Sequence, residues 1–309
     1  MRIVFIGTGE IGVPTLRALL NSEHEVIAVV TQPDKPVGRE QRIESPPIKK
    51  ALIGRARPPD TPIFQPARIK DPQTIEEIRG LTPDVIVVVA YGQILPRDVL
   101  EISRRACLNL HASLLPRWRG AAPIQAAIAA GDCETGVTVM YMDEGLDTGE
   151  ILLQRSVEIL PNDTGESLHD RLAQVAPEAL LESLRLLASG NAPRIPQDNA
   201  RATYAPKLKR EHGQINWSES AEAIERKIRA YNPWPGAFTE LTIGKLKIFS
   251  ATIMSLRERP GRVYLLGDDV AIATGDRALA LGEVQLEGKR RMSATEFVRG
   301  HHLIIQSAR

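Results

Sequence analysis
The sequence predicts an α/β domain on a mostly parallel sheet over residues 1–189 and a small β-barrel over residues 208–309, with a linker at 190–207 between them. Three observations point there. Strand-like and helix-like runs alternate through the first 190 residues, the order expected of a parallel sheet with crossover helices. Val85–Ala90 is a continuous apolar run rich in valine, as suits a strand covered on both faces. Beyond residue 235 the pattern changes to short strands at even spacing with turn residues between them, which reads as a barrel.

In chain order, Ile3–Ile6 is a buried strand, Pro14–Leu20 a helix and Val26–Val30 a second strand. Gln32–Lys50 holds Pro33, Pro36, Gly38, Pro46 and Pro47 and reads as a loop. Loops that long inside a compact domain usually serve function. Ile75–Arg79 looks helical, and Leu108–His111 is a short strand. Ala121–Ala130 is a helix with Pro123 in its first turn and Gly131 at its end. Strands follow at Val137–Met142 and Ile151–Ile159, then a helix from about Glu166 to Ala188. After the linker come a helix (Ala221–Ala230), the turn Asn232–Gly236, and strands at Phe238–Ile243, Leu246–Thr252, Arg262–Leu266, Val270–Thr274 and Ala278–Val284.

Composition narrows the function classes. The chain has 309 residues, 43% hydrophobic and 25% charged, an ordinary globular balance with room for two domains. No apolar run reaches the ~18–20 residues of a membrane span, so no membrane association is expected. Met1–Gly7 reads as a first strand rather than an export signal. Cys107 and Cys133 form neither a metal-like spacing nor a disulfide framework, which suits the cytoplasm. No His/Cys/carboxylate cluster has ligand spacing, so no metal is expected. The net charge of +1 is unevenly spread. Residues 1–200 carry 21 Lys and Arg against 26 Asp and Glu, whereas residues 201–309 carry 18 against 12. A polyanionic partner would lean on the C-terminal third; the alternative is an uneven solvated surface.

Gly7-Thr8-Gly9-Glu10-Ile11-Gly12 matches the dinucleotide fingerprint between a strand and a helix. That motif needs an acid at the end of the second strand to hold a ribose hydroxyl. Here the strand runs into Thr31-Gln32-Pro33, and the first acid, Asp34, lies beyond a proline. The glycines therefore read as serving a tight turn.

The chemistry-bearing stretch is Cys107–Pro116. Alternation along a strand sends Leu108 and Leu110 to one face and Asn109 and His111 to the other. Ligands of open α/β sheets collect at strand ends. An asparagine amide can donate to an oxygen that gains charge, and histidine can move a proton near neutral pH. Acyl transfer to an amine needs both functions. The alternatives are a structural histidine and an asparagine that caps the next turn. Asp147 sits in the turn Asp143-Glu144-Gly145-Leu146-Asp147-Thr148-Gly149. Alone it reads as a turn aspartate; beside His111 it would orient the imidazole and stabilise its charge.

Asn109-x-His111 with Ser113-Leu114-Leu115-Pro116 behind it, Asp147 in its Asp-x-Gly-x-Asp-Thr-Gly setting, and Tyr91-Gly92-Gln93-Ile94-Leu95-Pro96 together resemble the folate-dependent formyltransferase family. The resemblance implies that Asn109, His111 and Asp147 are the catalytic trio and that 10-formyltetrahydrofolate is the donor. It implies a folate site at Tyr91, Gly92, Gln93, Ile94 and Leu95, at Ser113, Leu114, Leu115 and Pro116, and at Gly136 and Val137. Family members use the first βα turn without a dinucleotide. The implied fold is a Rossmann-like catalytic domain followed by a barrel of oligonucleotide-binding type.

Thr31–Arg39 is similar to the tRNA-contacting loop of members that formylate the methionine of initiator tRNA. The resemblance marks Arg39 and Arg42 as tRNA contacts, although Glu40-Gln41-Arg42 replaces that loop's usual basic continuation. Tyr204–Leu208, Ile215–Trp217 and Arg229–Gly236 are similar to the linker and the entry to the C-terminal domain. Trp118, between Arg117 and Arg119, is placed either to stack on a terminal base or to be buried. Two alternatives stay open: a sugar-nucleotide N-formyltransferase with the same donor, and an inactive RNA-binding protein on this fold.

Overall fold
The computed structural model describes residues 1–38, 40–53, 61–267 and 269–301. Close contacts group the chain into two units, one of residues 1–120, 135–158 and 169–204, the other of residues 121–134, 159–168 and 205–309.

The first unit holds a seven-stranded sheet. Its strands are β1 (Arg2–Gly7), β2 (Glu25–Val30), β3 (Ile63–Phe64), β4 (Val85–Val89), β5 (Ala106–His111), β6 (Glu134–Tyr141) and β7 (Ile151–Glu158), in the spatial order β7-β6-β5-β4-β1-β2-β3. Strands β3, β2, β1, β4 and β5 are mutually parallel, and β6 joins β5 antiparallel. The mostly parallel α/β fold is as the alternating pattern predicts. Every residue of β4 is buried, which is why its sequence shows no polar alternation. One face of the sheet packs Val4, Ile6, Ala28, Val30, Ile86 and Val88 against Ile75 and Ile78 of a helix at Pro72–Gly80.

The glycine-rich turn after β1 corrects one physical reason. Gly7, Gly9 and Gly12 do not sit at positive φ, so turn conformation does not require them. Close approach explains Gly7: a Cβ there would lie 2.9 Å from the Val89 carbonyl oxygen. The segment read as a loop at 32–50 also has more order than its composition suggests. Lys35–Val37 and Arg42–Glu44 pair as an exposed antiparallel hairpin, and Pro47–Leu52 is helical. Asp34 anchors the base of this segment through Lys49 Nζ at 2.8 Å, Gln65 Nε2 at 2.8 Å and Ser45 Oγ at 3.2 Å. These bonds, Gln65's first, hold the Asp34 carboxyl below the usual carboxylate range.

In the second unit, the helix Ala221–Ala230 begins at a Ser220 hydroxyl that accepts from the Ala223 N–H, and it buries Ala221, Ile224 and Ile228 along one stripe. Strands follow as β8 (Ala237–Leu241), β9 (Gly244–Ile248), β10 (Ala251–Met254), β11 (Val263–Leu266), β12 (Asp269–Ala273), β13 (Ala278–Leu281), β14 (Glu283–Leu286) and β15 (Met292–Ser293). They make two antiparallel sheets, β8-β9-β14-β15 and β10-β13-β12-β11. The strands expected at 246–252 and 278–284 each prove to be two. The chain changes sheet at Phe249-Ser250 and again at Gly282, where the Gly282 N–H donates to the Ser250 carbonyl at 2.9 Å. Those crossings make the corners of the packing. Alternating Leu246/Ile248, Val270/Ile272, Leu279/Leu281 and Val284/Leu286 fill the core between the sheets.

Candidate active site
The site is built at the end of β5. Asn109 and His111 project from the same face, two residues apart, and both reach Asp147. Asn109 Nδ2 donates to Asp147 Oδ1 over a long 3.4 Å, and His111 Nδ1 lies 3.7 Å from Asp147 Oδ2. The second separation is that of an ion pair rather than a hydrogen bond. His111 and Asp147 keep 7% and 13% of their side chains exposed, so water screens interactions between them little. The sequence-identified trio therefore converges, across 36 residues between His111 and Asp147.

The other ring nitrogen of His111 identifies its tautomer. Nε2 lies 2.8 Å from the Trp118 carbonyl oxygen. A carbonyl only accepts, so Nε2 carries a proton. Nδ1 is then the ring nitrogen that faces Asp147.

Asp147 takes a left-handed backbone, φ 52°, which aspartate tolerates better than most residues. Its Oδ2 accepts the Gly120 N–H at 2.8 Å. Its own carbonyl accepts from Gln197 Nε2 at 2.8 Å, and the same nitrogen donates to the Gly149 carbonyl at 2.7 Å. Gln197 Oε1 in turn accepts from Arg119 Nη2 at 2.8 Å and Nε at 3.1 Å, and Asn199 Oδ1 accepts from Arg119 Nη2 at 2.8 Å. Arg119 is only 2% exposed. Sequence reasoning missed Gly120, Gln197 and Asn199 as supports, and treated Arg119 only as a neighbour of Trp118. The polar Gln197-Asp198-Asn199 within a proline-punctuated segment is the signal that pointed the other way, toward a linker. Trp118 itself is half-buried, with the Arg117 guanidinium 5.4 Å from its ring.

The turn after His111 is stitched from behind. Thr138, fully buried on β6, donates to the Ser113 carbonyl at 2.6 Å and accepts from the Leu115 N–H at 3.1 Å. Gln154 Nε2 donates to the Leu115 carbonyl at 2.9 Å. Ser113 Oγ donates to the Arg117 carbonyl at 2.6 Å, and the Leu115-Pro116 peptide is cis. Leu115 is buried, while Leu114 and Pro116 are half-buried. Gly136 faces this turn so closely that a Cβ would collide with the Arg155 carbonyl and the Leu114 side chain. Val137 beside it is buried.

The Tyr91–Leu95 loop uses much of its polar capacity internally. The Tyr91 carbonyl accepts from Gln32 Nε2 at 2.9 Å and from Thr8 Oγ1 at 3.2 Å. Gln93 Oε1 accepts the Ile69 N–H at 2.9 Å, and Gln93 Nε2 donates to the Ala67 carbonyl at 3.2 Å. Gly92 has φ 81°, a turn conformation that glycine permits. Tyr91 and Leu95 are core residues, whereas Ile94 is 88% exposed. Burial pushes the Tyr91 phenol up to about 12. Leu146, in the Asp147 turn, is also exposed. Arg97 lies 3.8 Å from Glu144, an ion pair between the two loop regions. Cys107 on β5 is no nucleophile: burial pushes its thiol up to about 12.

Arg42 is exposed and pairs with Glu40 at 2.7 Å. Arg39 lies outside the described residues. Among the described residues, no helix is long and apolar enough to cross a membrane.

Comparison with known proteins bears on this geometry. Residues 1–184 match the formyl transferase family model and residues 207–302 match the formyl transferase C-terminal domain. The chain is 47% identical over 304 residues to a methionyl-tRNA formyltransferase of Citrifermentans bemidjiense (strain ATCC BAA-1014 / DSM 16622 / JCM 12645 / Bem), covering 98% of this chain and 94% of that one. It is 48% identical over 305 residues to a methionyl-tRNA formyltransferase of Symbiobacterium thermophilum (strain DSM 24528 / JCM 14929 / IAM 14863 / T), covering 97% and 92%. A similar fold is seen in WlaRD, a sugar 3N-formyl transferase solved in the presence of dTDP and 5-N-formyl-THF. That likeness has a TM-score of 0.69 at 20% identity, covering 94% of this chain and 99% of that one.

Proposed function
The chain belongs to the formyl transferase family, and from that premise we propose that it moves the formyl group of 10-formyltetrahydrofolate to the amino group of methionine on initiator tRNA, in the cytoplasm. One observation carries the chemistry: an amide donor, an imidazole and a carboxylate meet at the end of β5. The substrate follows from relatives at 47% and 48% identity over nearly the whole chain. The sugar enzyme, at 20%, supports the fold alone.

The neutral methionyl amine attacks the formyl carbon on N10. Negative charge grows on the formyl oxygen, and the Asn109 amide and the protonated His111 ring steady it. The attacking amine must lose a proton and N10 must gain one as it leaves. Asp147, 3.7 Å from His111 Nδ1, keeps the imidazole oriented and passes that proton through water. Ile94 and Leu146, apolar and exposed on the two loops beside the site, offer surface to the pterin, which backbone groups of Tyr91–Leu95 and Gly136–Asp147 hold. Residues 1–189 carry this chemistry. Residues 208–309 hold tRNA phosphates, with Arg39 and Arg42 reaching the acceptor end.

The test is formyl transfer measured with methionyl-tRNA and with an amino-sugar nucleotide in parallel. The expected result is transfer to the tRNA alone. Transfer to the sugar nucleotide alone would favour the alternative acceptor, and no transfer to either would favour an inactive RNA-binding protein.

A further inference from the structure
Three consecutive residues serve the trio in three different ways. The Trp118 carbonyl accepts from His111, the Gly120 N–H donates to Asp147, and the Arg119 side chain between them is buried against Gln197 and Asn199. Trp118 has φ 58°, a conformation that a bulky side chain disfavours, while Gly120 beside it, at φ 113°, sits where glycine is permitted. Such a conformation persists where the surroundings over-determine it. The buried guanidinium is one such determinant, tying residues 118–120 to residues 197–199. Thr203 is another: its carbonyl accepts the Arg119 N–H and its hydroxyl the Trp118 N–H, both at 2.9 Å.

The same contacts fix the amide of Gln197. Its Oε1 faces a guanidinium, which only donates, so its NH2 group must face the other way. There it bridges two carbonyls of one turn, those of Asp147 and Gly149. Gly149 is itself closely packed, since a Cβ on it would collide with the Tyr141 carbonyl. A turn with a left-handed aspartate is thus held from outside by the Gln197 amide and the Gly120 N–H, in addition to its internal bonds from the Gly145 N–H and Thr148 Oγ1 to Asp143.

We propose that Gln197, oriented by buried Arg119, is a positioning residue that clamps the Asp147 turn and so sets the carboxylate against His111 and Asn109. Gln197 touches no reacting atom; it acts through the backbone of the residue that does. The proposal rests on the acyl-transfer reading of the trio. Its expected effect is on the chemical step, because displacement of a catalytic group by about an ångström costs on the order of 100-fold.

The test compares Gln197→Met, which has similar length but no amide, with Gln197→Glu, which keeps an acceptor for Arg119 but loses both N–H donors. Single-turnover formyl transfer should fall ~10- to 100-fold in each, with KM for tRNA and for folate held within about twofold. Melting temperature should fall in Gln197→Met, which leaves the buried Arg119 guanidinium without its Gln197 acceptor, and should stay nearer that of the parent in Gln197→Glu, which keeps one. Hydrogen exchange gives a readout that does not need activity: amides of residues 143–150 should exchange about tenfold faster, while those of β4 stay protected. Parent-like turnover, or unchanged protection of residues 143–150, would overturn the clamp. Should Gln197→Met not fold, Gln197→Glu and the shorter Gln197→Asn carry the same comparison. A parent protein that fails to formylate methionyl-tRNA sinks the proposed substrate instead, and the exchange measurement still decides the clamp.

Discussion

His111 and Asp147 face each other at 3.7 Å, Nδ1 to Oδ2, both nearly buried and neither in direct hydrogen-bond contact with the other. The gap leaves the carboxylate free to support charge on the ring without capturing its proton in a fixed bond. Loss of any member should therefore strike the chemical step. Asn109→Ala, His111→Ala and Asp147→Asn should each lower the single-turnover rate by ~10²–10⁴-fold while the fold is kept. Rapid-quench formylation and circular dichroism check this. Near-parental rates in any two of the three would remove the assignment.

The glycine-rich turn makes a different forecast. Its first glycine is needed for space against Val89, so Gly7→Ala should destabilise by about 1–3 kcal/mol. Gly80, the last residue of its helix, has open space around a would-be Cβ and no positive φ. Gly80→Ala should therefore stabilise by about 0.4–1 kcal/mol. Urea titrations of both variants distinguish packing from turn geometry. Calorimetry should find no NAD(H) binding at micromolar levels, and saturable binding would restore the dinucleotide reading.

What the sequence made legible follows from range. Two-residue alternation in β5 is local, so the strand pattern alone puts Asn109 and His111 on one face. The Asp147 turn was reached only through resemblance, because nothing local distinguishes it from any other turn aspartate. Arg119 and Gln197 are 78 residues apart, and neither has a neighbour that announces the contact. The barrel corners escaped for another reason. Apolar residues continue on both sides of Phe249-Ser250 and Gly282, so the pattern shows strand but not where the strand changes sheet.

Tyr91 is a core residue whose hydroxyl has no hydrogen-bond partner among the described residues. An unsatisfied buried hydroxyl costs roughly 1–3 kcal/mol. Tyr91→Phe should therefore leave stability unchanged or raise it within that range. Folate affinity should hold if the loop binds through its backbone. In the parent, this phenol should ionise only toward about 12, seen as a late step in an ultraviolet titration that Tyr91→Phe removes. Loss of more than ~1 kcal/mol on that substitution would show a hidden partner for the hydroxyl.

Asp34 supplies a pH dependence with a definite sign. Hydrogen bonds from Gln65 and Lys49 lower its folded-state pKa below that of the unfolded chain. The folded state therefore binds this proton less readily, and the contribution is fully present above the unfolded pKa. It fades as pH falls through the lowered folded value. Asp34→Asn should be less stable than the parent near neutral pH, and the gap should close on acidification. Denaturant midpoints across the acid range check this, and a gap that widens on acidification would contradict the assignment.

Arg42 presents a test of how tRNA is held. It sits on the exposed hairpin after β2 and is engaged by Glu40 at 2.7 Å, with 80% and 71% of the two side chains exposed. An exposed pair of this kind contributes about 0–1 kcal/mol, so a phosphate can displace the glutamate at little cost. Glu40 nonetheless opposes an approaching phosphate as a like charge. Arg42→Ala should lower kcat/KM for methionyl-tRNA and leave folate affinity unchanged. It should also reduce the slope of log(kcat/KM) against log salt by roughly one, the signature of one lost phosphate contact. Glu40→Gln should move kcat/KM the other way, most visibly at low salt where charge acts farthest. If Arg42 serves only its glutamate, the double variant Glu40→Gln/Arg42→Ala will match the parent and neither single variant will change the salt slope. In that case the tRNA contact near the acceptor end must come from elsewhere on the chain.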